Sequence, residues 1–369
     1  YWIAPPVVGS VPARIAAASA EPLRPCRLDT ATPVFETVLS PQSPAFLGAH
    51  RLRGAALVAG PVLLELAQAA AAGLQGGARR AVDGFVIHAP LVLSDAGRQV
   101  QVHLDEQDGT LAFRIHSRAL APGAAWTLHA QGRLVAPEAA RGAALRVDLA
   151  TLGVASDSGA HYDQLAQRGI VLGGPFRSLG EWRGGPGAAT AWIALSAADA
   201  AQRVTWAHPG LLDGALQAVG LALPGPAGDD DALYLLSAID RIELDAPLPA
   251  RVLCHVRVRD ATTATAPAQW IGDVDLVAED GTTLGRLRGV TLRRATPDAL
   301  TRIVPDAAAP ELFYRVEWEA APPVLPAASS LRGPDAVLAP VAARFEALAQ
   351  ANGMAVYDGL LPGLERLSL

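Results

Sequence analysis

Lysine is absent from this sequence of 369 residues, and all 30 of its basic residues are arginine. Together with the excess of alanine, this usage is typical of a GC-rich genome and indicates no function. Runs of basic residues are also absent and the formal net charge is -6, so we expect no nucleic acid as a partner. The only two cysteines, Cys26 and Cys254, are too few for a disulfide framework and favour a reducing cytoplasm.

Membrane-directing segments are absent as well, since the sequence has neither a recognisable signal peptide nor a spanning segment. The apolar stretch 60–73 contains Pro61 and Glu65, which make it a poor membrane span. With 51% hydrophobic and 18% charged residues, the chain is expected to be globular, and its length allows two or three domains. We therefore expect a cytoplasmic protein that does not contact a membrane.

The stretch from His50 to Gly73 organises the first half of the chain. Apolar residues recur there at helical spacing and Pro61 suits a first helical turn, so the pattern predicts a buried helix beginning near Gly60. Glu65 is one of the few polar residues inside this helix. Taken alone, a histidine ahead of such a helix is more often structural than catalytic.

A helix followed by four strands occurs twice along the chain. Antiparallel strands that follow a buried helix favour a sheet curled around it, so the repeated order predicts two such units. The predicted strands are 33–39, 81–93, 98–105, 110–119, 126–135, 182, 189–195, 238–244, 251–259, 270–278 and 283–293. The predicted helices after the first are 160–168 and 210–223, with a Gly-rich turn at 169–176 between them.

Two motifs supply the chemistry. The first has the form H-x3-G-x4-P, in which His50 and Gly54 match and Ala59 replaces the proline. The second, H-P-x-L-L-D-x-x-x-Q, is matched in full by HPGLLDGALQ, which includes Asp213 and Gln217. With these motifs in this order, the chain resembles the dehydratase domain of modular polyketide synthases over about residues 27–296.

A third motif of that family, G-Y-x-Y-G-P-x-F, is matched only in part by GIVLGGPF. Gly173 and Phe176 agree with the motif, as does the glycine at 169, whereas Leu172 replaces a tyrosine and Gly174 a proline. The family's L-P-F-x-W motif is absent, and LLSAI stands there with Ile239 in place of the tryptophan. These departures predict an altered substrate pocket around retained catalytic residues.

The resemblance implies an α+β double hot-dog fold, in which two helices are each wrapped by an antiparallel sheet around one active site. It also implies a substrate carried on the phosphopantetheine arm of an acyl carrier protein, with no cofactor or metal in the domain itself. A homodimer is expected, because the family's dehydratases usually form one and because exposed strand edges need cover.

Composition and resemblance together predict five parts of the chain. Residues 1–26 are expected to be a linker from a preceding acyltransferase region. An N-terminal hot-dog at 27–140, a connector at 141–159 and a C-terminal hot-dog at 160–296 follow. Residues 297–369 are expected to contain a second linker and the start of another region.

Both ends of the chain favour a piece of a longer polypeptide. The opening YWIAP resembles a segment that follows an acyltransferase, and the chain does not begin with methionine. The stretch LFYRVEWEAAP resembles the entry to a ketoreductase or methyltransferase region, with a predicted strand at 312–318 and a helix at 336–350. Neighbouring synthase domains are therefore expected partners.

Dehydration of a β-hydroxyacyl thioester needs a base at the α-carbon and an acid at the β-hydroxyl. Imidazole titrates near neutral pH, which suits His50 as the base. The carboxyl of Asp213, whose pKa an apolar helix would raise, suits the acid, and Gln217 on the same helix face would orient it. The backbone N–H at Gly60 would meet the thioester oxygen.

Three functions follow from these residues. The first is plain dehydration, and the second is dehydration followed by oxa-Michael ring closure to a pyran or furan, or by a shift of the double bond. The third is a silent domain that only docks a carrier protein and dimerises. The predicted substrate-binding residues are Ala59, Gly60, Leu172, Gly173, Phe176, Gln217 and Ile239.

Overall fold

Two buried helices, one in each half of the chain, are each packed against antiparallel strands in the computed structural model of the protein. The structure describes residues 23–77, 79–138, 154–202, 204–224, 233–259, 267–295 and 334–351. The helices in these ranges are α1 (Gly60–Gln75), α2 (Gly159–Gln167), α3 (Ala197–Ala200), α4 (Pro209–Leu221) and α5 (Pro334–Ala351). The two buried ones are α1 and α4.

The strands divide between the two halves. Those of the first half are β1 (Cys26–Arg27), β2 (Val34–Leu39), β3 (His50–Leu52), β4 (Ala55–Leu57), β5 (Ala81–Ile87), β6 (Val92–Leu93), β7 (Arg98–Gln107), β8 (Thr110–Ala119) and β9 (Thr127–Val135). Those of the second half are β10 (Ile170–Leu172), β11 (Leu179–Gly185), β12 (Ala188–Ala194), β13 (Leu233–Leu244), β14 (Arg251–Val258), β15 (Gln269–Val277) and β16 (Thr283–Ala295).

Most of these strands form one antiparallel sheet of twelve, in the order β1-β2-β7-β8-β9-β5-β13-β16-β15-β14-β12-β11. The first six belong to the first half and α1 packs on β1, β7 and β8, while α4 packs on β11, β12, β14 and β15 of the second half. The halves join where β5 pairs with β13, with Phe85 opposite Ile239. The expected α+β double hot-dog is therefore confirmed.

A smaller sheet of four short strands, in the order β10-β3-β4-β6, carries residues of both halves. Strands β3 and β4 form a hairpin whose two turn residues, Arg53 and Gly54, have φ of 47° and 83°. Two positive φ angles are typical of the type I′ turn that matches the twist of paired strands, and glycine adopts them readily. This turn explains why a glycine stands four residues after His50 in the first motif.

Helix α1 is buried on nearly every side. Ala59 precedes it in an extended conformation, Pro61 stands in its first turn, and Gly76 ends it by donating its N–H to the Ala72 carbonyl. Its buried leucines and valine each contribute about 1.5–3 kcal/mol by leaving water. They are Val62, Leu63, Leu64 and Leu66.

Two predictions of local structure are wrong in part. The Gly-rich stretch 169–176 is not a simple turn, because Ile170–Leu172 forms β10 and only Gly174–Phe176 forms a 3-10 turn. Residues 81–93 do not form one strand, because Pro90 between β5 and β6 has no N–H to donate to a ladder. Strands β3 and β4 are absent from the prediction because three residues are too few for an alternating pattern.

The chain divides into two compact units, and the described residues of the second unit form α5. This helix includes the whole of the predicted segment 336–350. The predicted strand at 312–318, most of the connector at 141–159 and most of the N-terminal linker lie outside the described residues, so their limits stay predictions. In the ranges given above, no helix is long and apolar enough to cross a membrane.

Candidate active site

His50 begins β3, and its ring is fixed by the hairpin that follows. Its Nδ1 atom lies 2.9 Å from the carbonyl oxygen of Leu57 on β4. A carbonyl oxygen only accepts hydrogen bonds, so this contact assigns the proton to Nδ1 and leaves a lone pair on Nε2. The hairpin therefore holds the imidazole in the tautomer whose Nε2 atom can accept a proton.

Asp213 lies in α4 and is only 7% exposed to solvent. Gln217, one turn further along the helix, donates from Nε2 to Oδ2 of Asp213 at 2.6 Å. Burial raises the pKa of the Asp213 carboxyl above its ordinary value, whereas the charge of a protonated His50 and the Gln217 hydrogen bond act in the opposite direction. Asp213 is thereby linked through Gln217 to Phe176, the residue whose ring packs on His50.

Phe176 connects the two sides of the site. Its ring centroid lies 5.2 Å from that of His50 in an edge-to-face arrangement, and its carbonyl oxygen accepts a hydrogen bond of 2.8 Å from Nε2 of Gln217. The same amide nitrogen thus bonds both Phe176 and Asp213, while Oε1 of Gln217 is buried and without a partner in the structure. The amide of Gln217 therefore links the carboxyl of Asp213 to the main chain beside the Phe176 ring.

Strand β10 brings the third motif alongside His50. Leu172 stands directly opposite His50 in the pairing of β10 with β3, and Gly173 donates its N–H to the carbonyl of Ala49 at 2.8 Å. Gly174 has φ of 49°, which the proline of the family motif, fixed near -65°, does not adopt. The turn therefore runs differently from the motif, and proline occupies the next position as Pro175.

The remaining predicted substrate-binding residues lie at the start of α1 and on β13. The carbonyl of Ala59 accepts from the N–H of Val62. A Cβ at Gly60 would lie 2.8 Å from Cδ2 of Leu236, so a larger residue there would require the Leu236 side chain to shift. Ile239 is buried on the same strand as Leu236. Ala59, Gly60 and Ile239 are not part of the chain of contacts that joins His50, Phe176, Gln217 and Asp213.

Two groups at the site are missed by the motifs. The backbone carbonyl of Leu57 has no sequence signature, because a side-chain pattern does not reveal a main-chain acceptor. The ring of Phe46 lies 6.0 Å from the rings of both Phe176 and His208, and its only signal is its position in the apolar stretch before His50. His208 caps α4 by accepting from the N–H of Gly210 at 3.1 Å.

Metal ligands are not grouped in the part of the chain that the structure describes. No three His, Cys, Asp or Glu side chains there are arranged to hold a metal ion. The site as it stands offers an imidazole, a buried carboxyl, an amide and apolar walls. This set can move protons at neighbouring carbons of an apolar substrate.

Known families match both halves of the chain. Residues 24–118 match the family described as "Polyketide synthase dehydratase domain", and residues 140–302 match "Polyketide synthase dehydratase N-terminal domain". Polyketide synthase ThaG of Burkholderia thailandensis is 33% identical over 300 residues, covering 76% of this chain and 5% of that protein. Mycoketide-CoA synthase of Mycobacterium tuberculosis is 30% identical over 291 residues, covering 77% of this chain and 7% of that protein.

Solved structures agree with these matches. The dehydratase domain from the CurK module of curacin polyketide synthase is 27% identical, with a TM-score of 0.65, and covers 76% of this chain and 99% of its own. The corresponding domain from the CurJ module is 21% identical with a TM-score of 0.67 and supports the fold alone. Fold and matches define the chain as a double hot-dog of the dehydratase type. It belongs to the dehydratase-domain family of polyketide synthases.

Proposed function

We propose that this domain removes water from a β-hydroxyacyl thioester carried on the phosphopantetheine arm of an acyl carrier protein. The observation that carries the proposal is the chain of contacts from His50 to Phe176, Gln217 and Asp213. It pairs a ring nitrogen with a free lone pair and a buried carboxyl of raised pKa, which are the base and the acid that the elimination needs.

The two groups would act on neighbouring carbons. Nε2 of His50 takes the proton from the α-carbon, and the electron pair of that C–H bond forms the double bond while the C–O bond at the β-carbon breaks. Asp213 gives its proton to the departing oxygen, so the second product is water. The proton on His50 then passes to the Asp213 carboxylate, which restores both groups for the next substrate.

The other predicted residues would hold the substrate. The backbone N–H groups at Ala59 and Gly60, at the positive end of the α1 dipole, suit the thioester oxygen as negative charge develops there. Leu172, Gly173 and Phe176 would form the wall beside His50. Ile239 would line the pocket further along the acyl chain, and Gln217 would orient the Asp213 carboxyl toward the substrate.

Relatives support the paired roles of a histidine and an aspartic acid. Solved structures of the CurK domain include two variants described as inactive, one with phenylalanine in place of a histidine and one with asparagine in place of an aspartate. Each is 27% identical to this chain and covers 76% of it. By analogy, we assign the same two roles here to His50 and Asp213.

The test supplies a β-hydroxyacyl substrate bound to a carrier protein and measures its turnover by the whole 369-residue chain. Mass spectrometry of the carrier protein should show loss of one water. Both epimers at the β-carbon should be offered as separate substrates, because a base and an acid alone do not determine which configuration reacts. Folded protein that leaves both epimers unchanged would overturn the proposal and favour the silent domain that only docks a carrier.

A second proposed function is ring closure after dehydration. Leu172, directly opposite His50, lacks the hydroxyl of the family's tyrosine, and Ile239 is smaller than the tryptophan that it replaces. The added room would let a distal hydroxyl of the substrate fold back and add to the enoyl β-carbon, giving a pyran or furan. A shift of the double bond is the alternative second step.

Product analysis with a substrate that carries a distal hydroxyl separates these outcomes. A cyclic ether, an α,β-alkene and a β,γ-alkene are distinguished by nuclear magnetic resonance after release from the carrier. The Leu172→Tyr variant should give less cyclic product for each dehydration, because the larger ring fills the space beside His50. An unchanged ratio would contradict the role of Leu172.

Further partners are also proposals, because the chain spans less than a tenth of the length of the curated relatives described above. The acyl carrier protein delivers the substrate, and acyltransferase and ketoreductase or methyltransferase regions are the expected neighbours. We propose a homodimer, since within the described residues β1 and β11 end the large sheet, with a single bridge from Ser156 to Trp182 on β11, and pairing would cover these edges. Sedimentation that finds only monomer at working concentration would contradict it.

A further inference from the structure

Glu65 lies within the buried helix α1 and is only 1% exposed to solvent. Its carboxylate accepts hydrogen bonds from three successive backbone N–H groups of the second half of the chain. Thr205 donates to Oε1, Trp206 donates to Oε2 at 3.0 Å, and Ala207 donates to Oε2 at 3.3 Å. The proposed elimination does not use this side chain.

The three donors stand immediately before α4. The next residue, His208, caps that helix by accepting from the N–H of Gly210, and Asp213 follows in the second turn. Because a helix is stiff over so short a distance, the position of its first residues determines where the Asp213 carboxyl lies. The carboxylate of Glu65 therefore anchors the end of α4 that carries Asp213.

The other end of this connection leads to His50. Helix α1 begins at Gly60, directly after the β3–β4 hairpin in which the Leu57 carbonyl fixes the His50 ring. Glu65 thus joins the helix that follows the histidine to the segment that precedes the aspartic acid. It is a buried side-chain connection between the two halves, in addition to the backbone pairing of β10 with β3 and of β5 with β13.

Carboxylate chemistry is required for this contact. Each buried N–H needs an acceptor, and a carboxylate supplies two oxygens that only accept when ionised. An amide at the same place has one oxygen and directs its N–H2 group at N–H donors. A glutamine would therefore fill the same volume and still release at least one of the three backbone groups.

We propose that Glu65 is a positioning residue for the dehydration: it holds the start of α4 so that Asp213 reaches the β-hydroxyl of a substrate whose α-carbon lies at His50. This inference rests on the proposed function. A positioning role of Glu65 can be distinguished from a purely structural role. Positioning affects the turnover of the folded protein, whereas stabilisation affects only the fraction of protein that is folded.

The chain offers a matched control on the same helix. Gln68 is also buried, and its Nε2 donates to the backbone carbonyl of Arg80 at 2.8 Å, within the first half of the chain. The Gln68→Met variant removes a buried hydrogen bond of α1 without touching residues 205–207. Any loss that it shares with Glu65→Gln reports the general stability of α1.

The experiment compares the whole chain with its Glu65→Gln, Glu65→Asp and Gln68→Met variants above pH 7 and well below their melting temperatures. We expect kcat on a carrier-bound substrate to fall between about tenfold and a hundredfold in Glu65→Gln, with KM within about threefold, since small displacements of a reacting group have effects of this size. Glu65→Asp keeps the carboxylate on a shorter stem and should recover part of the loss. Gln68→Met should keep kcat within about twofold.

Hydrogen exchange supplies a readout that does not depend on activity. Amides of residues 205–212 should exchange faster in Glu65→Gln than in wild type, and at the wild-type rate in Gln68→Met. If Glu65→Gln does not fold, Glu65→Asp replaces it in the comparison. The inference then requires that the kcat of Glu65→Asp is lower than the kcat of Gln68→Met.

Two results would overturn the inference alone. One is wild-type kcat in Glu65→Gln while the wild type itself dehydrates the substrate. The other is unchanged exchange of residues 205–212. Absence of turnover in the wild type would instead overturn the proposed function, and the positioning role with it.

Discussion

Gln217 donates a hydrogen bond of 2.6 Å to the carboxyl of Asp213 from one turn further along α4. Its Nε2 also bonds the carbonyl of Phe176, whose ring packs on His50. One side-chain amide thus fixes the orientation of the proposed acid relative to the wall of the site. The orientation of the Asp213 carboxyl affects the rate of dehydration only if the carboxyl must point at the leaving oxygen. Removal of the Gln217 amide measures this effect.

The Gln217→Ala variant should lose roughly tenfold or more in kcat, because Asp213 then rotates freely and the Phe176 carbonyl loses its donor. Gln99→Ala is the matched control, since Nε2 of Gln99 donates to the Glu36 carboxylate at 2.6 Å in the first half of the chain. The control should dehydrate at nearly the wild-type rate. Equal losses in both variants, measured on a carrier-bound substrate, would contradict a role for the Gln217 contact.

The buried helices of the site could be predicted from the sequence, whereas the way the halves meet could not. Apolar residues at helical spacing indicate α1 and α4, and the motifs indicate His50 and Asp213. The pairing of β10 with β3 joins strands of three residues that are far apart in the chain, so no local pattern reveals it. The contact of Glu65 with residues 205–207 uses main-chain donors and leaves no side-chain signature either.

A second prediction concerns the turn before Phe176. Replacing Gly174 with proline would restore the residue of the family motif, yet it should destabilise this protein. Proline requires φ near -65°, and Gly174 has φ of 49°. Gly174→Ala should cost about 1–2 kcal/mol, because a left-handed conformation strains a residue with a Cβ, and Gly174→Pro should cost more. Chemical denaturation measures both, and a proline variant as stable as wild type would show that the turn can adopt the motif's conformation.

A third prediction concerns the pH dependence of stability. Burial is the largest influence on Glu65 and raises its pKa from 4.5 to about 7, although the backbone hydrogen bonds from 205–207 act in the opposite direction. A carboxyl whose pKa is raised on folding binds more protons in the folded state. Its contribution to stability is therefore complete below pH 4.5 and is lost as the pH rises through about 7.

Comparison with Glu65→Gln isolates this contribution, because glutamine does not titrate and the raised pKa of Asp213 affects both chains alike. The free energy of unfolding of the wild type, relative to the variant, should fall by about 3 kcal/mol between the acidic and the neutral limit. Urea denaturation across this range measures the difference. A difference that grows with pH would mean that hydrogen bonds outweigh burial at Glu65.

The last prediction separates the two proposed catalytic groups. His50→Ala should abolish dehydration, and it should also abolish ring closure measured from a synthetic enoyl thioester, because both reactions need a base at the same carbons. Asp213→Asn should reduce dehydration more than ring closure. Departure of hydroxide needs a proton, which an amide gives poorly, whereas addition of an internal hydroxyl to a ready-made enoyl has no leaving group to protonate. Losses on the order of a hundredfold or more are expected when a positioned base or acid is removed.

Rates of both reactions should be followed for wild type, His50→Ala and Asp213→Asn by separating open and cyclic products, with the stereochemistry of the ring determined for each. His88→Ala controls for loss of a histidine, since His88 is an exposed residue after β5 and takes no part in the contacts described for His50. Cyclisation by His50→Ala at the wild-type rate and with the wild-type configuration would refute a shared base. Ring closure would then be spontaneous or would depend on another group, and His50 would act in dehydration alone.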